Sequence, residues 1–494
     1  MPNYLIALDQ GTTSTRAILY NRELNPIASI SEELPLSYPQ AGWVEQDPEA
    51  IWQSVLHCIQ QLLQQNDMLP EQIAGLALTN QRETTLLWEK ASGKTLYPAI
   101  VWQDRRTADE CLALKQNDEA SIRAKTGLLA DPYFSASKLQ WLLEQLPEAR
   151  QRAEAGELCF GTIDSFLLWR LTGGNVHATE ASNASRTLLF NIHQLQWDPE
   201  LLTLFQIPAA LLPEVRDSAT DFGHCSAGLF GHPIPILSML GDQQAALLGQ
   251  ACVKPGMLKS TYGTGCFAMV NTGDSPLQSQ HQLLTTVAWR IQGKATYAME
   301  GSIFMAGATV QWLRDKLGII QQASDSETLA EGIDYQQTEL LIPAFTGLGA
   351  PHWQPKVQAA LFGLSRNSGK AEICAAALRS VAYQTQDLLL AMAQDGISIA
   401  DIRVDGGMTV NHWFLQALAD LTQHSISQSK ISDATAFGTA FLAARQLGWV
   451  STLDAIQSLW QRAAQFSPQL SPGQQSICYQ NWCSAMGRLL ADPS

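Results

Sequence analysis

At 494 residues the chain is too long for one ordinary core, and 46% hydrophobic against 16% charged residues suits two well-buried domains, not a disordered or fibrous chain. A net charge of −15 without a lysine/arginine block excludes nucleic acid and an anionic membrane surface as main partners, so any anionic ligand must be held by local groups. The nine cysteines are scattered, odd in number and without a C-x-x-C pair, which argues against a disulfide framework or a zinc site and for a reducing cytosol. The start, "MPNYLIALDQ", has no basic leader and its apolar run breaks at Asp9. A soluble cytoplasmic protein without membrane insertion is expected.

In chain order, "YLIALDQG" and "TRAILYN" predict a hairpin around "DQGTTST". "DPEAIWQSVLHCIQQLLQQ" predicts a helix with Asp47 as its cap, Pro48 in its first turn and Ile51, Val55, Ile59 and Leu62 on one face. "IAGLALTNQ" and "TTLLWE" read as strands, and "PIPILSMLGDQQAALLGQ" as a strand entering a helix at Gly241 and Asp242. The Pro/Gly punctuation of "ACVKPG" marks a link, with a boundary near residue 252 between domains 1–252 and 253–494. Then "LKSTYGTGCFAMVNTG" opens the second half as the first half opened, strand, Gly-Thr turn, strand. A hairpin over "LLTTVAWRIQGKATYAMEG" and helices over 371–393 and 411–422 follow. The alternation is α/β, and the repeated opening implies a duplicated unit facing itself across a cleft.

A Gly-Thr turn between strands brings several N–H and hydroxyl donors to one point, which is what phosphate oxygens need where side-chain cations are scarce. Asp9 stands beside the first turn, placed to recruit a metal. "VDGGMTVN" (404–411) adds a third glycine turn, where Gly406 and Gly407 carry no side chain to hold off a nucleoside face. Neither G-x-x-x-x-G-K-[ST] nor G-x-G-x-x-G occurs at these places, so a P-loop or Rossmann site loses support.

These stretches, with "GWVEQDP", "TNQRETT", "VWQDRRTA", "TGLLADPYFS", "NASRTLLFN", "FMAGATVQWLRD", "PAFTGLGAP" and "RVDGGM", resemble the FGGY carbohydrate kinase family, in particular its glycerol kinases, to about residue 450. The resemblance implies two duplicated actin/hexokinase/Hsp70-like (ribonuclease H-like) α/β domains flanking a catalytic cleft. It also implies ATP as phosphoryl donor, Mg²⁺, glycerol as acceptor, and a homo-oligomer, dimer or tetramer. Asp242 matches the catalytic base and Asp9 the carboxylate that holds Mg²⁺. Arg82, Glu83, Trp102, Tyr133, Gln243 and Phe267 match polyol contacts: donor and acceptor groups on one side, an apolar wall on the other. Thr12, Thr13, Ser14 and Arg16 match the first phosphate turn, and Thr264, Gly307, Gln311, Gly407 and Asn411 the nucleotide contacts of the second half.

Three departures stand out. Arg379 sits where the family's second signature has an acid or amide, and is read as a surface variation. "PHWQP" (351–355) brings His352 and Gln354 near the cleft, and "HCSAGLFGHPIP" lacks the arginine with which some relatives bind an inhibitory sugar bisphosphate. Two other classes share parts of the pattern. A kinase for a different sugar would share the phosphate turns, and an ATP-driven switch of the actin or Hsp70 type would share the fold without a polyol acceptor.

Overall fold

Two short strands and a tight turn begin the chain in the computed structural model, which describes residues 2–335 and 337–491. β1 (Tyr4–Gln10) turns through Gly11–Thr13 into antiparallel β2 (Ser14–Tyr20), and β3 (Pro26–Glu33) extends the ribbon. α1 (Pro48–Gln65) starts where Asp47 Oδ1 accepts the Glu49 N–H at 2.9 Å, a cap worth about 1 kcal/mol. Its Ile51, Val55, Ile59 and Leu62 are fully buried, as their spacing requires. β4 (Ile73–Asn80) returns parallel to β1, and β5 (Ile236–Gly241) runs parallel to β4, giving the order β5-β4-β1-β2-β3. β4 is buried along its whole length, which explains its nearly unbroken apolar run.

After β5 the chain enters α2 (Asp242–Gly249) and then repeats the plan. β6 (Met257–Tyr262) and β7 (Cys266–Gly273) form the second hairpin, and β8 (Leu284–Ile291) and β9 (Lys294–Ile303) widen it. α3 (Gly307–Asp315) and the long α4 (Lys370–Gln394) precede β10 (Asp401–Asp405), which is parallel to β6. α5 (His412–Thr422), β11 (Ile426–Ser429), α6 (Ala434–Gln446), β12 (Arg462–Phe466) and α7 (Pro472–Ala491) complete the chain. The second sheet has the order β8-β9-β7-β6-β10-β11-β12. Its run β11-β10-β6-β7 copies β5-β4-β1-β2 in both order and direction.

The helices that follow the matched strands β5 and β11 pack on each other. α2 and α6 touch backbone to backbone: a Cβ at Gly249 would stand 1.8 Å from the Ala434 carbonyl oxygen, and one at Gly438 2.0 Å from that of Ala245. α6 also lies across β1, β4 and β5, so Phe437, Ala440 and Phe441 share a core with Leu5, Ala7 and Ile18 of the first half.

All nine cysteines are free thiols, and among the described residues no helix is long and apolar enough to cross a membrane. The reading of Arg379 as a surface variation is overturned. Arg379 is 3% exposed, donates to the Ile333 and Asp334 carbonyls at 3.0 Å, and lies over the Tyr335 ring. α4 is covered on nearly every side, so a cation in it must find internal acceptors, here the carbonyls of the preceding loop. His352 lies with its Nε2 3.6 Å from the Asp387 carboxylate, on α4.

Candidate active site

β1, β4 and β5 are adjacent and parallel, so their carboxyl ends open side by side, the usual place for a ligand in an α/β sheet. Asp9 stands at the end of β1, Arg82 and Glu83 follow β4, and Asp242 follows β5. The turn after β4 is tied down: Gln81 N–H donates to the Gln10 carbonyl at 2.7 Å, and the Glu83 carbonyl accepts from Thr85 Oγ1 at 2.9 Å and Ser135 Oγ at 3.0 Å. Glu83 has φ +58°, a strained backbone of the kind that persists where surrounding contacts over-determine it, often at functional sites.

Arg82, 2% exposed, organises the cluster. Its Nε lies 3.2 Å from Asp242 Oδ1; Nη1 donates to Glu300 Oε2 at 2.6 Å and Gln244 Oε1 at 3.2 Å; Nη2 donates to the Tyr133 hydroxyl at 3.3 Å. A guanidinium has five N–H groups, so one on Nη2 is left to donate to a ligand. Glu83 Oε1 accepts from Arg186 Nε at 2.6 Å, and among the described residues Oε2 has no donor. A free donor and a free acceptor side by side are what a hydroxyl needs. Trp102, Tyr133 and Phe267 supply an apolar wall. The Trp102 ring meets Tyr133 at 5.6 Å and Phe267 at 6.2 Å, and its Nε1 donates to Thr12 Oγ1 at 2.9 Å.

Asp242 Oδ1 also accepts the Gln243 N–H at 2.6 Å, so one oxygen is held while Oδ2 has no donor among the described residues. Its side chain is 27% exposed. Burial raises its pKa above the ordinary carboxylate range, outweighing Arg82, the Gln243 N–H and Lys259. Burial likewise raises Asp9 well above that range, with Asp433 and Asp242 adding to it and Arg16 opposing. Arg16, the cross-strand neighbour of Asp9, pairs with Asp433 at 2.8 Å. Asp9 and Asp433 share one exposed cation, Arg16, which leaves surplus negative charge that fits a divalent ion beside Asp9. Among the described residues no three metal-ligating side chains form a cluster.

In the second half the expected nucleotide residues gather at the ends of β6 and β10. The Thr264 carbonyl accepts from Ala306 and Ala308 N–H at 3.0 Å, and Gly307 N–H donates to the Gly263 carbonyl at 2.9 Å, joining the second Gly-Thr turn to the start of α3. Gly406, at φ +94°, lies so close to β6 that a Cβ would stand 2.5 Å from the Tyr262 carbonyl oxygen. Gly407, by contrast, has nothing within 4 Å of that position. Asn411 caps α5, accepting the Phe414 N–H at 2.8 Å, and Gln311 is exposed on α3. In the first turn the Thr13 and Ser14 carbonyls accept from Leu34 and Gly11 at 2.8 and 2.9 Å.

Sequence reasoning missed three charged residues of the cluster: Arg186, Glu300 and Lys259, none of them measurably exposed. Arg186 Nη2 donates to Glu300 Oε1 at 2.9 Å. Lys259 donates to Gln243 Oε1, to Thr261 Oγ1 and to the Phe267 carbonyl, so Gln243 keeps its NH₂ free to donate. Arg82, Arg186 and Lys259 thus balance Glu83, Glu300 and Asp242. A signal was present in "MLKSTY" and "YAMEGSI": a lone charge inside an apolar strand has to be paired.

The family model described as the N-terminal domain of the FGGY family of carbohydrate kinases matches residues 4–249, and that for its C-terminal domain matches residues 258–447. The chain belongs to the FGGY family of carbohydrate kinases. Among its curated FGGY relatives, a glycerol kinase of Ectopseudomonas mendocina is 55% identical and glycerol kinase 1 of Pseudomonas aeruginosa 52% identical, each over 100% of both chains. The crystal structure of Plasmodium falciparum glycerol kinase with ADP superposes with a TM-score of 0.94 at 33% identity, covering 99% of this chain and 98% of that one. The gluconate kinase of Lactobacillus acidophilus, at 22% identity and a TM-score of 0.90, shares the fold of this two-domain α/β family.

Proposed function

We propose that the chain transfers the γ-phosphoryl group of ATP to a primary hydroxyl of glycerol, giving sn-glycerol 3-phosphate and ADP, the first step of glycerol utilisation. One observation carries the reading: at the cleft end of β4, an Arg82 N–H and Glu83 Oε2 remain available within a wall of Trp102, Tyr133 and Phe267, beside Asp242. That combination suits a small molecule with several hydroxyls on a short carbon chain. Full-length relatives named glycerol kinase, at 50–55% identity, support the same acceptor.

Phosphoryl transfer demands alignment, charge neutralisation and removal of one proton. In this reading Asp242 Oδ2 takes the proton from the attacking hydroxyl, whose oxygen bonds to the γ-phosphorus as the bond to ADP breaks; the proton ends on Asp242. The raised proton affinity of Asp242 favours that transfer, and Arg82 and the Gln243 N–H fix the direction from which it acts. Arg82 and the Gln243 NH₂ donate to hydroxyl oxygens and Glu83 accepts from a hydroxyl, while the aromatic wall meets the carbon chain and excludes water. Thr12, Thr13, Ser14 and Arg16 bind phosphate from one side, and Thr264, Gly307, Gln311, Gly407 and Asn411 hold the nucleotide from the other. Mg²⁺ would be held by Asp9 and would neutralise phosphate charge there. The base, the first phosphate turn and the polyol groups other than Phe267 lie in domain 1–252, and the nucleotide groups in domain 253–494.

A coupled phosphorylation screen over glycerol, pentuloses and aldonates, with ATP hydrolysis measured with and without glycerol, tests this. Glycerol is expected to be the best acceptor and hydrolysis without it slow. Greater activity on a pentulose or aldonate would assign another sugar, and equally fast hydrolysis without glycerol would favour an ATP-driven switch.

A further inference from the structure

Glu300 lies on β9 of the second half, yet its carboxylate ends inside the cluster built on the first. Both oxygens are in use: Oε2 accepts from Arg82 Nη1 at 2.6 Å and Oε1 from Arg186 Nη2 at 2.9 Å. Arg186 reaches onward through Nε to Glu83 Oε1 at 2.6 Å. The donor and the acceptor that remain open to a polyol are therefore both oriented through one buried carboxylate. None of the three side chains Arg82, Arg186 and Glu300 is more than 2% exposed, so water cannot substitute for a lost partner. Burial by itself would raise the Glu300 carboxyl, but Arg186 and Arg82 outweigh it and bring it down to about 2, so the carboxylate stays charged.

We propose that Glu300 is a positioning residue of the polyol site, supplied by the opposite half of the molecule and acting through Arg82 directly and through Arg186 on Glu83. It touches no substrate. The inference rests on the assignment of Arg82 and Glu83 to the polyol. An amide cannot replace it: the carbonyl oxygen of Gln can serve one arginine, and its NH₂ then faces the other donor to donor.

Steady-state kinetics of Glu300→Gln and Glu300→Asp, beside Arg82→Ala, test it. For Glu300→Gln the KM for glycerol rises about tenfold or more, as expected when a charged hydrogen bond is lost, while the KM for ATP stays within about twofold. Glu300→Asp keeps both acceptor oxygens and recovers part of the loss. Preference for glycerol over propane-1,2-diol or propane-1,3-diol, each lacking one hydroxyl, shrinks in Glu300→Gln, a change that loss of stability alone does not produce. If Glu300→Gln lowers Tm but leaves the glycerol KM and this preference unchanged, Glu300 is only a structural ion-pair partner and the proposal fails. If Arg82→Ala also leaves the glycerol KM unchanged, the polyol assignment itself is wrong. Should Glu300→Gln not fold, Arg186→Lys carries the same readouts, since an ammonium retains the charge but cannot bridge Glu83 and Glu300 as the guanidinium does.

Discussion

After β4 the chain turns through Gln81, Arg82 and Glu83, none more than 2% exposed, whereas after the matching strand β10 it turns through Gly406 and Gly407 and leaves Val410 75% exposed. The first turn is filled with charges that hold one another; the second is nearly bare backbone. A duplicated scaffold has therefore been completed in two opposite ways. A ligand with a few hydroxyls must be enclosed to be recognised, because each hydrogen bond gains most where water is excluded. A nucleotide is large enough to be held across an open ledge by main-chain groups and close backbone approach.

The largest effect that tests this contrast lies at the closed end. Asp242→Asn keeps shape but cannot take the proton, and kcat is expected to fall about 100-fold or more while an ATP analogue still binds in calorimetry. Turnover near the unmodified rate would remove Asp242 from the mechanism. A base at Asp242 would act only when deprotonated, and burial raises its pKa, so kcat should fall on acidification at a higher pH than an ordinary carboxylate would give. That limb should be absent from the residual activity of Asp242→Asn.

A smaller change removes one hydroxyl from the closed end. Tyr133→Phe takes away the acceptor for Arg82 Nη2, and the glycerol KM should rise about fivefold to tenfold, with the ATP KM unaltered. An equal rise in both constants would dissolve the distinction between the two ends. At the open end, Gly407→Ala adds a methyl where no protein atom lies within 4 Å, so stability should hold. The ATP KM should nevertheless rise about threefold to tenfold, as for overpacking against a bound ligand. An unchanged ATP KM would mean that the nucleotide does not lie on this ledge.

The smallest effect belongs to the contact between β2 and the cap of α6. Arg16→Ala breaks the pair with Asp433, whose side chains are 44% and 12% exposed, and urea unfolding should register less than about 1 kcal/mol. A larger loss would show that this pair is more than a surface contact.

Much of the scaffold was legible because it repeats. The paired Gly-Thr turns, the strand into Asp242, the cap at Asp47 and the face Ile51, Val55, Ile59 and Leu62 all follow from local pattern. Asp9, Arg82, Glu83 and Asp242 stood out only through the joint resemblance to the FGGY family, since an aspartate at a strand end is as readily a cap or turn residue and an Arg-Glu pair as readily solvated surface. What local pattern could not reveal were partners far apart in the chain: Glu300 is 218 residues from Arg82 and 114 from Arg186. Arg379 was misread for the same reason, because nothing in "AALRSVA" says that the loop before it folds back over α4.

The crossing of α2 and α6 is closest at two glycines. Gly249 and Gly438 let main chain rest on main chain there, while Phe437 and Phe441 beside them fill the core shared with Leu5 and Ile18. A methyl at Gly249 would force the two helices apart at the end of α2 opposite Asp242, so that a change outside the site would reach it through the helix that Asp242 begins.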